Sequence, residues 1–300
     1  MISRRALLAA PACVALGAAG PPRVDSALVD PYTDAVARRA PRRQLPYIAL
    51  YERSGYRLTY VAARHDTGGA TFRAIDVAFR RTPNALIVEG FPSAWGESPE
   101  RVATLVRNAA GDPKEAGIYL RGEPGHALAR AVAEDLPFWG GEPESAEIDR
   151  ALAARGYAAG DVAGVMMLQW LPQGRIAGAY ADNKDARFRG FLDATAARIA
   201  ADYSMGLVFS REIYERWHER QFGVSVYEDG DYAERLDPAR QGLAAEISRA
   251  MTLVRDRHIF TTIMRVLARR EHTLVVYGGA HLATQARALA AALGPPRIVS

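Results

Sequence analysis

The chain has 300 residues, 49% of them hydrophobic and 24% charged, which supplies a core for one large domain or two small ones and argues against intrinsic disorder. Its formal charge of +4 comes from scattered arginines interleaved with acids, so no basic stripe marks nucleic acid as a partner. The single cysteine, Cys13, lies in the leader, and the mature chain has no disulfide or thiolate metal chemistry to offer.

Residues 1–20 read as an export signal. Arg4 and Arg5 form a charged start, an apolar run comes next, and Gly17-Ala18-Ala19 is a small-residue cleavage zone. The apolar run falls short of the roughly 20 residues that span a bilayer. Ser3-Arg4-Arg5 resembles a twin-arginine signal, with an ordinary secretory signal as the alternative. The expected location is periplasmic or extracellular, with no transmembrane segment in the mature chain. Residues 21–44 are rich in Pro and Arg and read as a tether or surface arm.

From residue 45 to 300 the pattern is that of a single α/β domain. Tyr47–Tyr51 and Tyr56–Ala62 flank Arg53-Ser54-Gly55 and read as a hairpin. A helix is expected from Ala70 to Arg81, with Phe72, Ile75 and Phe79 on one face, stopped by Pro83-Asn84. Ala85–Val88 is a short apolar run of the kind buried on both faces of a parallel sheet. Gly117–Leu120 is a weaker strand. Trp139–Pro143 reads as a polar loop. A helical insertion covers about 145–268, with Asp161 as an N-cap, helix formers over 186–221 and Pro238 opening a further helical stretch. Thr273–Tyr277 is again a buried strand, a helix runs through Leu293, and Arg297–Val299 is a last strand. Strands alternating with helices at both ends predict a mixed, largely parallel sheet flanked by helices.

Ligands of such sheets bind beyond the carboxyl ends of the strands. His65, Glu89, Glu123 and His281 each follow a predicted strand. Two imidazoles and one carboxylate, His65, His281 and Glu89, make a set that binds a divalent ion and leaves positions open. Glu89, directly after an apolar strand, needs a cation or a donor. Gly278 and Gly279 allow close backbone approach and are the candidate cofactor-binding positions. Arg255 shares an i, i+4 stripe with Met251, Ile259 and Ile263, so its guanidinium should be paired to a site carboxylate or aimed at an oxyanion. Glu142 is a further candidate for the same rim. Glu89, Glu123, Glu142 and Arg255 are thus the candidate catalytic residues. Of the other histidines, His218, His258 and His272 lie among charged residues and are expected to be solvated. His126 opens a helix and has some prospect of reaching the site.

Several of these residues resemble the pattern of the Tiki/TraB/ChaN-like superfamily. The matching pieces are Gly278-Gly279-Ala280-His281-Leu282, Leu86-Ile87-Val88-Glu89-Gly90 and Arg255-Asp256. In Ala62-Ala63-Arg64-His65, Ala62 stands where the pattern has glycine. The resemblance covers roughly residues 56–294 and implies an exported metal-dependent hydrolase, peptidase- or esterase-like, acting on a small molecule or peptide. The alternative it implies is a non-catalytic protein binding haem or a metal complex, and a vestigial site with a structural or partner-binding role is a third reading.

Overall fold

The computed structural model describes residues 25–39, 45–65, 69–93, 122–176, 178–203, 206–230, 232–237 and 240–299. The expected leader, parts of the arm, Pro238 and the strand expected at 117–120 lie outside them.

The hairpin forms as the sequence predicts. β1 (Tyr47–Arg53) and β2 (Tyr56–Ala63) pair antiparallel from Tyr47–Ala62 to Arg53–Tyr56. Ser54 and Gly55 both have positive φ, at 53° and 87°. Such a two-residue turn matches the right-handed twist of the strands it joins. β3 (Ala85–Pro92), β4 (Phe138–Glu142), β5 (His272–Gly278) and β6 (Arg297–Val299) complete a six-stranded sheet in the order β4-β3-β5-β2-β1-β6. The ladders β4/β3, β3/β5 and β5/β2 are parallel, while β1 pairs antiparallel with both β2 and β6.

β4 corrects the loop expected at Trp139–Pro143. Two adjacent glycines suggest a turn, but here glycine serves close packing inside a strand. A Cβ on Gly141 would collide with the hydroxyl of buried Tyr277 on β5.

Helices cover both faces of the sheet. α1 (Asp34–Arg39) belongs to the arm. α2 (Ala70–Phe79) ends slightly short of the expected Arg81, and α3 (Glu123–Ala133) lies beside it. These two bury Ile75, Phe79, Ala127 and Leu128 against Leu86, Val88, Leu274 and Val276. Phe72 is off that face and stacks on His126 at 4.4 Å between centroids. The insertion between β4 and β5 contains α4 (Ser145–Ala153), α5 (Ala159–Ile176), α6 (Ala186–Asp202), α7 (Arg211–Phe222), α8 (Tyr232–Arg235) and α9 (Leu243–Arg270). It has its own core, with Leu168, Phe188, Leu192 and Trp217 at its centre. Asp161 is inside the first turn of α5 rather than an N-cap, and it accepts a hydrogen bond from Trp217 Nε1 at 2.9 Å. α10 (Gly279–Leu293) and the second half of α9 cover the other face of the sheet, with Ile259, Ile263, Leu289 and Leu293 packed on Tyr60, Ile87, Val275 and Tyr277.

α9 joins the two cores. Ile247 and Met251 belong to the helical core, and Ile259 and Phe260 to the sheet core. Arg255 and Asp256 fall at the junction. Among the described residues no helix is long and apolar enough to cross a membrane.

Candidate functional site

The four mutually parallel strands end on one rim, as expected of a ligand site in such a sheet. His65 stands just past β2, Glu89 near the end of β3 and Glu142 at the end of β4. β5 runs through Gly278 into α10, whose first turn carries His281. The rim opens into a cleft of about 480 Å³. Its opposite wall comes from the helical insertion, where Met166, Gln169, Trp170 and Gln173 of α5 recur at helical spacing.

Glu89 is at the centre. Regular pairing of β3 with β5 stops at Val88, the register with β4 shifts between Val88 and Pro92, and Gly90 takes a φ of 89° that favours glycine. This break lets the carboxylate meet four partners. Oε2 accepts from the Gly278 backbone N–H at 2.9 Å. Oε1 is 3.4 Å from His281 Nε2, and Oε2 is 4.0 Å from His65 Nε2. The Arg255 guanidinium approaches to 3.8 Å. Burial alone would push the Glu89 carboxyl up, but His281 first, then His65 and Arg255, hold it well below the usual carboxylate range.

His281 is fixed from behind. Its Nδ1 is 2.5 Å from Asp256 Oδ1, and Asp256 is fully buried. Thr284 Oγ1 and Gln285 Nε2 also donate to Asp256, at 2.6 and 3.1 Å. Burial disfavours the imidazolium, yet Asp256 and Glu89 outweigh it and raise His281 to about 10. His281 is therefore a cation between two carboxylates at neutral pH.

His65 leans on Glu123, with Nδ1 2.5 Å from Glu123 Oε1. This hydrogen bond is the largest influence raising the imidazole. Glu123 is buried in the first turn of α3, where the helix dipole favours an anion, and Pro124 follows it at a position tolerant of a missing N–H. His65, Glu89 and Glu123 bring one ligand atom each to within 4.8 Å of one another. The set expected from sequence had His281 in place of Glu123. The structure puts His281 next to Glu89 and occupies its Nδ1 with Asp256.

Arg255 clamps Glu142 through two hydrogen bonds, Nε to Oε2 at 2.8 Å and Nη2 to Oε1 at 2.9 Å. Burial opposes ionisation of Glu142, but Arg255 overrides it and the carboxyl lies below its ordinary value. Tyr277 Oη donates to Glu142 Oε1 at 3.3 Å. Arg255 itself is raised well above its ordinary value by Glu142 and Glu89 against the effect of burial.

Gly278 is required by close approach. A Cβ there would lie 2.6 Å from His65 Nε2 and 3.5 Å from Glu89 Oε2. The Gly278 amide, expected to greet a cofactor, is already given to Glu89. Gly279 faces elsewhere, since a Cβ on it would meet Leu45 Cδ2 at 2.6 Å. Ala62 pairs with Tyr47 and Tyr277 inside the sheet, where the backbone is extended and alanine fits.

No protein-family model, curated protein or solved structure matches the chain. Its function is therefore read from the chemistry of the site.

The remaining histidines correct the expectation of solvation. His218 is fully buried, with Nδ1 3.0 Å from Val224 O. His272 is buried in β5 between Thr59 Oγ1 and Thr82 O, each at 3.1 Å. His258 is partly buried and bonded on both ring nitrogens. Charged neighbours in sequence misled because they point away on the helix or strand while the imidazole points in. His126 stays outside the cleft, bound to Asp76 at 3.0 Å. Sequence reasoning quoted Asp256 within the Arg255-Asp256 match but gave it no role at the site, and it did not single out Tyr277 or the α5 wall. Asp256 had a usable signal: it precedes Phe260 by one helical repeat on the face α9 buries.

Proposed function

We propose that the protein is an exported metal-dependent hydrolase of small esters, amides or peptides, with His65, Glu89 and Glu123 holding a divalent ion. The convergence of these three ligand atoms within 4.8 Å, at the mouth of the parallel strands, carries the reading. The charges favour it as well. Among the described residues, the four largely buried carboxylates Glu89, Glu123, Glu142 and Asp256 are paired with Arg255 and two histidines. An excess of buried carboxylate is costly without a further cation. One imidazole and two carboxylates suit a hard or borderline ion such as zinc, manganese or iron.

The ion would supply Lewis acidity toward a substrate oxygen. His65 and Glu123 orient each other through their hydrogen bond. His281, protonated at Nε2 beside Glu89, holds a proton within reach of the cleft. Asp256 keeps that ring in place. Glu142 and Arg255 act together: the Nε/Nη2 edge of the guanidinium binds the carboxylate, while Nη1, which makes no hydrogen bond among the described residues, remains able to donate to a substrate oxygen. Met166 and Trp170 give an apolar surface for the rest of the substrate. The resemblance to Tiki/TraB/ChaN-like proteins and location outside the cytoplasm belong to the same proposal.

Elemental analysis of protein purified without chelators tests it. We expect about one divalent ion per chain, lost in His65→Ala and Glu123→Gln together with chelator-sensitive ester or peptide hydrolysis. Metal content unchanged by both substitutions would overturn the proposal. So would stoichiometric haem uptake with a Soret band that depends on His65, which would mark a carrier instead.

A further inference from the structure

Three polar side chains at the margin of the cleft form a connected relay that the metal site does not use. Ser93 directly follows β3, Glu147 lies in the first turn of α4, and His258 lies on α9 about one turn past Arg255. Ser93 Oγ is 2.9 Å from His258 Nε2. His258 Nδ1 is 3.0 Å from the Glu147 carboxylate. Three elements remote in sequence are needed to bring these groups together.

The order of contacts decides the tautomer. A carboxylate only accepts, so Nδ1 keeps its proton and donates to Glu147, leaving the Nε2 lone pair facing the serine hydroxyl. Oγ–H then donates to Nε2. This is the connectivity that activates a serine nucleophile: acid, imidazole and hydroxyl in line, each within hydrogen-bond reach. Ser93 and His258 are only partly buried, and the His258 side chain keeps 20% of its surface exposed. Ser93, Glu147 and His258 do not themselves line the cleft, but Ile148, next to Glu147, and Arg255, one turn before His258 on α9, do, so the relay lies beside a cavity that can seat an acyl group.

We propose that Ser93, His258 and Glu147 form a second catalytic centre, a serine nucleophile with its base and orienting acid, that takes carboxylic esters. Ser93 Oγ bonds to the ester carbonyl carbon as its proton passes to His258 Nε2. The carbon–oxygen bond to the alcohol breaks, and the alcohol leaves with that proton. Water then gives a proton to Nε2 and its oxygen to the acyl carbon, the Oγ–carbon bond breaks, and Ser93 regains its proton. The net reaction is ester plus water to acid plus alcohol, with no other co-reactant.

Diisopropyl fluorophosphate, which reacts with activated serines, tests this on the full chain, with adducts located by peptide mass mapping. We expect one adduct, on Ser93, absent in Ser93→Ala. Removing the base in His258→Gln should slow it by about 10²–10⁴-fold, with a smaller loss in Glu147→Gln. Labelling should persist in chelator and in His65→Ala, so it stands or falls apart from the metal reading. Wild-type protein that gives no Ser93 adduct overturns the proposal without any variant. A labelling rate unchanged in a His258→Gln protein that retains its far-ultraviolet dichroism also overturns it, because Ser93 then only ties the end of β3 to α4 and α9.

Discussion

Two buried histidines, each beside a buried aspartate, behave in opposite ways. His281 in the sheet half faces Asp256 on one nitrogen and Glu89 on the other, and is raised to about 10. His218 in the helical half has Nε2 3.1 Å from Asp229 Oδ2 without a well-aligned hydrogen bond among the described residues, and burial outweighs Asp229 and pushes the imidazole down. Arg235 also binds Asp229, at 3.2 Å, and spends part of its charge. Proximity to an acid is therefore not what ionises a buried histidine. Aligned hydrogen bonds and an acid not already paired with arginine are. The helical half uses its histidine to fasten a loop at Val224, whereas the rim stores charge.

The largest expected effect comes from removing the aspartates. Asp256→Asn strips His281⁺ of its main counter-charge and disturbs the bonds from Thr284 and Gln285. Urea unfolding should show a loss of about 3–5 kcal/mol, the usual result of breaking one side of a buried ion pair. Asp229→Asn, next to a neutral ring, should lose about 1–3 kcal/mol, on the scale of an orphaned buried hydrogen bond. Equal losses would erase the distinction between the two histidines.

The pH dependence of stability sharpens it next. The folded value of His281, about 10, is above its unfolded value near 6.5. Its contribution is fully present below pH 6.5 and is lost as pH rises through about 10. His218 is shifted the other way, so its contribution is present above 6.5 and is lost as pH falls below that. Denaturation midpoints from pH 5 to 10 should fall on the alkaline side in wild type and flatten there in His281→Gln. His218→Gln should leave the alkaline limb unchanged.

Glycines give the smallest contrast. A Cβ on Gly164 would strike the ring of fully buried Trp217, so Gly164→Ala should cost about 1–3 kcal/mol by overpacking. At Gly278 the obstacle is the half-exposed ring of His65, which can swing aside. Gly278→Ala should hardly move the melting temperature but weaken divalent-ion binding in a calorimetric titration. A large melting shift at Gly278 with intact ion binding would break the division between packing glycine and site glycine.

Much of the architecture was legible because its signals are local. The turn at Ser54-Gly55, the apolar runs at 85–88 and 273–277 and the long helical stretch announce themselves within a few residues. β4 did not, since Gly140 and Gly141 carry no apolar signal of their own, and Gly141 is required by Tyr277, which is far along the chain. The same distance explains the site. Glu89 and His281 were found because each follows a strong strand. Glu123 displaced His281 as the third ligand partner of His65 because helix α3 turns its first residue back over β2. Asp256 stood in the Arg255-Asp256 match, but its role behind His281 depends on α9 bridging the two cores, which no local pattern announces.

The strand order has a consequence for synthesis. β5, made near the end of the chain, is inserted between β2 and β3, which are made early. As the ribosome releases the first half, the hairpin and β3 have no neighbour to share, and the edges of both stay open until residues 272–278 emerge. Contacts this remote close slowly and leave unpaired strands exposed meanwhile. The rim is then completed last: a nascent chain stopped ahead of β5 holds His65 and Glu89 on separate pieces, so the ion site proposed above would not form before most of the protein has been made.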